Sequence, residues 1–398
     1  MNKTVKYASM LQPYLPGVSQ ALDFLHYLAA EEPHCSPRRV DKPLILYGAG
    51  DMGRMARDFF QRINIPFLYV VDADPQRYKD SGEWDGVSLL KPSTVPHGYR
   101  ARALLAICIS TVSYERVKQP LIAQGWQDIV HFYDIAQAYQ EHYPLGNGWF
   151  TGNLSPDDMA GLERVLTQWE DDVSRAHHLQ FIAWHRLRKE LTFDGAPVTL
   201  QNRFFIPQVI AALRRDEVFL DGGAYHGEVS LRFMNVVKNE FSKVYAIEPD
   251  RHSVNVLRDR LSGDNGLGSG RILIMDCALS SSSGIRAFFH GLGYASQLNA
   301  KAQETVSVCT LDELDIPATF IKLHLEGWEL AALRGGMQSI RRHRPVLAVT
   351  TYHHRNGLWD VQDFLMKELK DYVFFLRLHS WSGTGCVLYA IPRERYLP

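Results

Sequence analysis

The sequence predicts an α/β protein built from two doubly wound domains in tandem. Short apolar runs that stop at an acid or a glycine-rich turn alternate with amphipathic stretches of helical length, in two separate regions. Two of these runs open directly into glycine-rich turns, Gly48-Ala49-Gly50-Asp51-Met52-Gly53 and Asp221-Gly222-Gly223-Ala224-Tyr225-His226-Gly227. At 398 residues, 46% hydrophobic and 22% charged, the chain is long and apolar enough for two or three globular domains.

The elements follow in order. Residues 1–40 read as a helical lead with an apolar stripe over 21–28, ended by Pro33, Pro37 and the Arg38-Arg39 pair. Residues 41–145 read as a small Rossmann-like domain. Its strands are Pro43 to Tyr47, Phe67 to Val71 ending at Asp72, and Ala103 to Ile109, with a helix from the glycine turn to about Ile63. Residues 146–203 read as a helical connector. Ser155-Pro156-Asp157-Asp158 is a helix start, with a cap, a proline at the first position and acids in the first turn, and the helical pattern runs to about Glu190.

Residues 204–398 form the second domain, with strands near 217–221, 243–248 and 271–275 and a β-rich insert over about 285–309. Then come a strand at 320–323, a helix from Glu326 to Ile340, a strand at 345–349, a helix near 358–369, and two final strands near 372–377 and 386–391. The expected sheet is mostly parallel with an antiparallel terminal strand.

Composition narrows the function. Formal net charge is −1, so charge alone does not point to nucleic acid. No apolar run approaches the ~18 residues of a membrane span, and residues 1–6 lack the apolar core of a signal peptide. Cys35, Cys108, Cys277, Cys309 and Cys386 are scattered without a Cys-x-x-Cys, which suits reduced, packed thiols in a cytoplasmic protein.

The second glycine turn carries the chemistry. Gly222, Gly223 and Gly227 let the backbone turn tightly against a ligand, and the helix expected from about His226 to Val237 offers free N–H groups at its start. Asp221 ends one strand. Glu248, twenty-seven residues on, ends the next and is placed to accept both ribose hydroxyls. Two acids on successive strands suit a nucleoside with a cationic, amino-acid-like tail, which is S-adenosylmethionine. Asp221 would stand near its ammonium, directly or through water. Tyr225 and Ser230 would flank the tail, Pro249 and Ile247 would line ribose and adenine, and Asp276 would accept from the adenine amino group. An ordinary solvated or packed role is the alternative for Tyr225, Pro249, Ile247 and Asp276.

Further motifs carry a resemblance. Cys277-Ala278-Leu279-Ser280 followed by Gly284, Thr310-Leu311-Asp312-Glu313-Leu314, and Ile321-Lys322-Leu323-His324-Leu325-Glu326-Gly327 followed by Leu333-Arg334-Gly335-Gly336 stand in order behind the glycine turn. Over about 204–392 the chain resembles the FkbM family of S-adenosylmethionine-dependent methyltransferases. The front half and Asp171-x-x-Ser174-Arg175 resemble the leader of its longer members. The resemblance implies a class I methyltransferase-type Rossmann domain and O-methylation of a sugar or another small hydroxylated metabolite. His324 stands where the family has Asp. It reads either as a proton acceptor near neutral pH or as a packed strand-end histidine. Glu326 reads as a base or as a helix-start acid favoured by the macrodipole. Tyr352, His353 and His354 are further base candidates, with the two histidines read in the first place as a solvated loop pair. No carboxylate or cysteine spacing around them supports a metal, so none is expected.

In the front domain Gly48, Gly50 and Gly53 follow a strand and open a helix, and Asp72 comes nineteen residues after the last glycine. This is a dinucleotide fingerprint in its required context. A bound dinucleotide or nucleotide sugar, a vestigial fold that positions the acceptor, and a homodimer or partner surface are the competing readings. The alternatives to a methyltransferase are therefore an NAD-dependent oxidoreductase using this domain and a non-catalytic nucleotide-sensing module.

Overall fold

The structure is a computed structural model that describes residues 8–33, 36–79, 82–262, 270–291 and 293–397. Cys35 and the first seven residues lie outside them. The chain divides into two compact units, residues 1–156 with 176–200 and 380–384, and residues 157–175 with 201–379 and 385–398. The connector expected over 146–203 is thus shared out between the two units. Its helical pattern resolves into Pro156–Gln168 and Asp172–Leu187. The break between them is set by Asp171, whose carboxylate accepts from the Ser174 backbone N–H at 2.8 Å and hydroxyl at 2.6 Å.

The first unit is built on a five-stranded parallel sheet in the order Leu89–Leu90, Phe67–Val71, Leu44–Tyr47, Leu104–Ile107, Asp128–His131. Apolar strands with both faces covered are what all-parallel sheets require, and Leu104, Leu105, Ala106 and Ile107 are all fully buried. The lead is helical only over Val18–Ala30. Before it, Ala8–Gln12 forms a strand parallel to Lys189–Phe193.

The second unit is built on a seven-stranded sheet in the order Ile272–Met275, Lys243–Ile247, Val218–Gly222, Phe320–Leu323, Val346–Thr350, Cys386–Pro392, Tyr372–Leu378. Cys386–Pro392 runs antiparallel to both its neighbours and the other pairings are parallel. Phe219, Phe233 and Phe320 stack beneath it, with ring centroids 4.5 and 4.8 Å from Phe219. The insert is a four-stranded sheet of Ala278–Leu279, Glu304–Cys309, Gly284–Phe289 and Gln297–Leu298.

The helix expected from Glu326 to Ile340 is two helices, Glu329–Arg334 and Met337–His343. It starts late because Glu326 and Gly327 take left-handed backbone, at φ 50° and 99°. It breaks at Gly335-Gly336, where a methyl on Gly335 would overlap the Ser280 carbonyl oxygen. Likewise the helix after the second glycine turn starts only at Glu228, behind Gly227 at φ 83°. Among the described residues no helix is long and apolar enough to cross a membrane, and Cys108, Cys277, Cys309 and Cys386 are free thiols.

Candidate active site

The register of the second sheet places the glycine turn. Asp221 lies beside Ala246 on one side and Lys322 on the other, so the tips of three parallel strands converge at Gly222-Gly223. Gly223 has φ 72°, and a methyl there would overlap the His324 carbonyl oxygen. Only glycine lets the turn lie this close to the neighbouring strand end.

Glu248 faces this turn. One carboxylate oxygen accepts from the Tyr225 N–H at 2.8 Å and the other from the Asp250 N–H at 2.9 Å. Each keeps a lone pair for a further donor. Burial drives its pKa up to about 7, against the pull of those two N–H bonds. Pro249 is half-buried and Ile247 buried beside it. Asp276 is exposed, as a solvated turn residue would be. Tyr225, at φ 50°, stacks its ring on His226 at 3.6 Å between centroids.

Asp221 is engaged by the protein's own side chains. It is fully buried, and its carboxylate takes the Lys322 ammonium at 2.8 Å and the Ser230 hydroxyl at 2.7 Å. Lys322 also donates to the carbonyls of Gly222 at 3.2 Å and Gly223 at 2.7 Å. The Asp221 carboxylate and the Lys322 ammonium thus form an internal staple under the glycine turn. Ser230 is buried with it.

The tips of Phe320–Leu323 and Val346–Thr350 bring a second group together. His324 Nε2 lies 3.2 Å from His353 Nε2, 3.2 Å from Glu326 Oε1 and 3.1 Å from the Tyr352 hydroxyl. His353 Nε2 lies 3.0 Å from Glu326 Oε1, and its Nδ1 lies 3.0 Å from Glu329 Oε1. Burial pushes the His324 pKa down. Burial would also lower His353, but the Glu326 and Glu329 carboxylates outweigh it and hold that ring protonated well above the usual range. His353 is buried and His354 exposed, so the solvated pair read from sequence is split. The expectation of no metal ligands here rested on spacing along one stretch of chain. Ligand atoms from two separate turns, His324, Glu326 and His353, lie within 4.8 Å of one another.

Glu329 was not singled out from sequence. It is buried at the first position of its helix and accepts from the N–H groups of Leu325 at 2.8 Å and Gly327 at 3.0 Å and from the Thr350 hydroxyl at 2.8 Å. It therefore holds the 324–327 turn and orients His353. Asp250 was also missed. It caps the helix Arg251–Leu261 through the Ser253 N–H and accepts from Gly291 N–H at 2.9 Å and Ser296 Oγ at 3.0 Å, which fastens the insert to the sheet edge. An Asp directly before a helical pattern was the available signal for its capping half.

In the first unit Gly48, Gly50 and Gly53 form the expected turn, with Gly48 at φ 112° and Gly50 at the helix N-cap. Asp72 accepts from the Ala49 N–H and the Asp74 N–H, each at 2.8 Å.

The match to a protein family falls on the second unit. Residues 221–376 match the Methyltransferase FkbM domain. The FkbM match begins at Asp221 and does not reach the front glycine turn. A crystal structure of a methyltransferase FkbM from Methylobacillus flagellatus is similar over 94% of each chain, at 18% identity and a TM-score of 0.57. That likeness shows the fold. Also similar are a precorrin-6y C5,15-methyltransferase from Geobacter metallireducens (13% identity, 46% of this chain and 85% of that one, TM-score 0.28) and an rRNA methylase from Streptococcus thermophilus (13% identity, 47% and 94%, TM-score 0.29). No curated protein sequence matches the chain significantly. The matched segment holds the glycine turn, Glu248 and the His324 cluster; Arg203, which donates to the Tyr352 hydroxyl at 3.0 Å, lies outside it.

Proposed function

We propose that the FkbM domain transfers a methyl group from S-adenosylmethionine to a hydroxyl of a sugar or another small hydroxylated acceptor. The observation that carries this reading is Glu248. It is a buried carboxylate at the tip of the strand beside the glycine turn, tied to the turn's own backbone, with lone pairs left for the two hydroxyls of a ribose. The residues present fit the nucleoside. Gly222 and Gly223 leave the backbone bare, Glu248 would hold the ribose, Ile247 and Pro249 would line it, and the helix start at Glu228 would face the carboxylate of the tail. The donor supplies an electrophilic methyl on a sulfonium, displaced in line by the acceptor oxygen. What the chain supplies is alignment, an effect that can contribute ~7–11 kcal/mol, and polar groups at the His324 turn to receive the hydroxyl.

The test is ligand-induced stabilisation followed by turnover. S-adenosylhomocysteine at 100 times its dissociation constant should stabilise the fold by ~2.7 kcal/mol, and Glu248→Ala should abolish the shift. Labelled methyl from S-adenosylmethionine should then appear in a hydroxylated acceptor from a sugar-rich panel. A clear shift with NAD and none with S-adenosylhomocysteine would favour an oxidoreductase. Binding of S-adenosylhomocysteine with no transfer to any acceptor would favour a nucleotide sensor.

A further inference from the structure

The atoms at the His324 turn are oversubscribed. An imidazole nitrogen carries one proton or one lone pair in the ring plane. Yet His324 Nε2 has His353 Nε2, Glu326 Oε1 and the Tyr352 hydroxyl around it at 3.1–3.2 Å. Nε2 of His353 is likewise shared between His324 at 3.2 Å and Glu326 at 3.0 Å. One proton cannot serve all of these contacts in good geometry.

A cation can. The three ligand atoms form a near-equilateral triangle with edges of 3.2, 3.2 and 3.0 Å. Nitrogen and oxygen ligands sit at ~2.0–2.2 Å from a divalent ion such as zinc, so neighbouring ligands on one face lie about 3.0–3.4 Å apart. The triangle has that size, and an ion would stand about 1 Å above its plane with its other positions open. Two imidazoles and one carboxylate form a set suited to first-row transition ions rather than to magnesium or calcium, which prefer oxygen alone.

The surroundings are those of a built site. His353 turns its far nitrogen, Nδ1, to buried Glu329, and such a carboxylate behind a ligand histidine fixes its ring and tautomer. Glu329 is itself held by Leu325, Gly327 and Thr350. Glu326 reaches the triangle from left-handed backbone at φ 50°, a conformation that costs a non-glycine residue about 1–3 kcal/mol and persists where surroundings enforce it.

We propose that His324, Glu326 and His353 bind a divalent first-row transition ion whose open positions take oxygens of the hydroxylated acceptor. The second clause rests on the methyl-transfer reading; the first does not. In that reaction the acceptor O–H bond breaks and its proton leaves to solvent. The oxygen forms the new bond to the methyl carbon, and the carbon–sulfur pair returns to sulfur.

The experiment uses the full chain stripped with a chelator and titrated with Co²⁺, followed by visible absorbance and by calorimetry, with S-adenosylhomocysteine affinity measured on the same samples. One ion per chain is expected. Glu329→Gln should weaken Co²⁺ ~10–100-fold, and His324→Asn, Glu326→Gln and His353→Asn at least as much. His324→Asp should keep one ion per chain with an altered spectrum, because an oxygen replaces a nitrogen ligand. Retained S-adenosylhomocysteine affinity shows which variants are folded and keeps this outcome separate from that of the methyl-transfer reading. Less than one ion per chain in the wild type, or Co²⁺ affinity unchanged in folded His324→Asn and Glu326→Gln, overturns the site.

Discussion

Replacing Glu248 by Gln removes one ionisation and leaves the shape. The carboxyl titrates near its ordinary value of 4.5 when unfolded and at about 7 when folded, because burial penalises the charge. Here the folded pKa is raised on an acid. The folded state therefore holds the proton more tightly, and stability is lost as pH rises from the unfolded to the folded value. A shift of this size at about 1.36 kcal/mol per unit is worth roughly 3 kcal/mol, concentrated between about pH 4.5 and 7. Gln cannot ionise, so the quantity to follow is the wild-type minus Glu248→Gln difference in unfolding free energy, from urea titrations at pH 4 to 8. It should move by roughly 3 kcal/mol against the wild type across that window. The constant offset from a carboxamide facing the Tyr225 and Asp250 N–H groups drops out of the comparison. A ribose bound to the carboxylate needs its ionised form. Wild-type affinity for S-adenosylhomocysteine should therefore fall about tenfold from pH 8 to pH 6, and that of Glu248→Gln should stay flat. A difference curve that is flat with pH, or moves the other way, would refute the buried-carboxylate argument.

Other expectations follow from single contacts. Lys322→Met leaves Asp221 buried with its charge unpaired, which should cost about 3–5 kcal/mol in urea unfolding; a loss under ~1 kcal/mol would mean the pair is not the staple described. Gly53→Ala forces a methyl onto the Gly48 carbonyl and should lower stability by about 1–3 kcal/mol, with the glycine turn of the first unit displaced in a crystal structure of the variant. Asp250→Ala removes a helix cap and two tethers to the insert. It should cost about 1–2 kcal/mol and speed proteolysis near Gly291 and Ser296, whereas unchanged cleavage would sever the proposed link.

The parallel strands were legible because each is an apolar run bounded by a turn, and residues 320–323 appear in the structure as read. The run ending at Asp221 shows the limit of that reading. Its acid was visible, but its partner was not, because Lys322 comes from a strand 101 residues away and meets it only through sheet register. Glu329 was hidden for the same reason, as its partners lie in two different turns. The helix expected from Glu326 failed locally. The residue has ordinary helix propensity, and only the tertiary hold of Glu329 on the turn explains its left-handed backbone.

The two glycine turns use one device, and comparing them decides how far the motif alone can carry a ligand. Asp72 and Glu248 each directly follow the second strand, in chain order, of their unit's main sheet. Both accept from a backbone N–H of the glycine turn and from the N–H two residues on. A fingerprint and its closing acid therefore arise wherever this strand–turn–helix geometry must satisfy its own amides, whether or not a nucleotide follows. What separates the two is enclosure. Glu248 is 7% exposed and carries a pKa driven up by burial, whereas Asp72 is only partly buried. A carboxylate kept in an apolar setting at a free-energy cost is explained by a ligand that will hydrogen-bond it; one that reaches solvent needs no such ligand. On this ground the second turn carries the functional argument, and the first is accounted for by its own backbone.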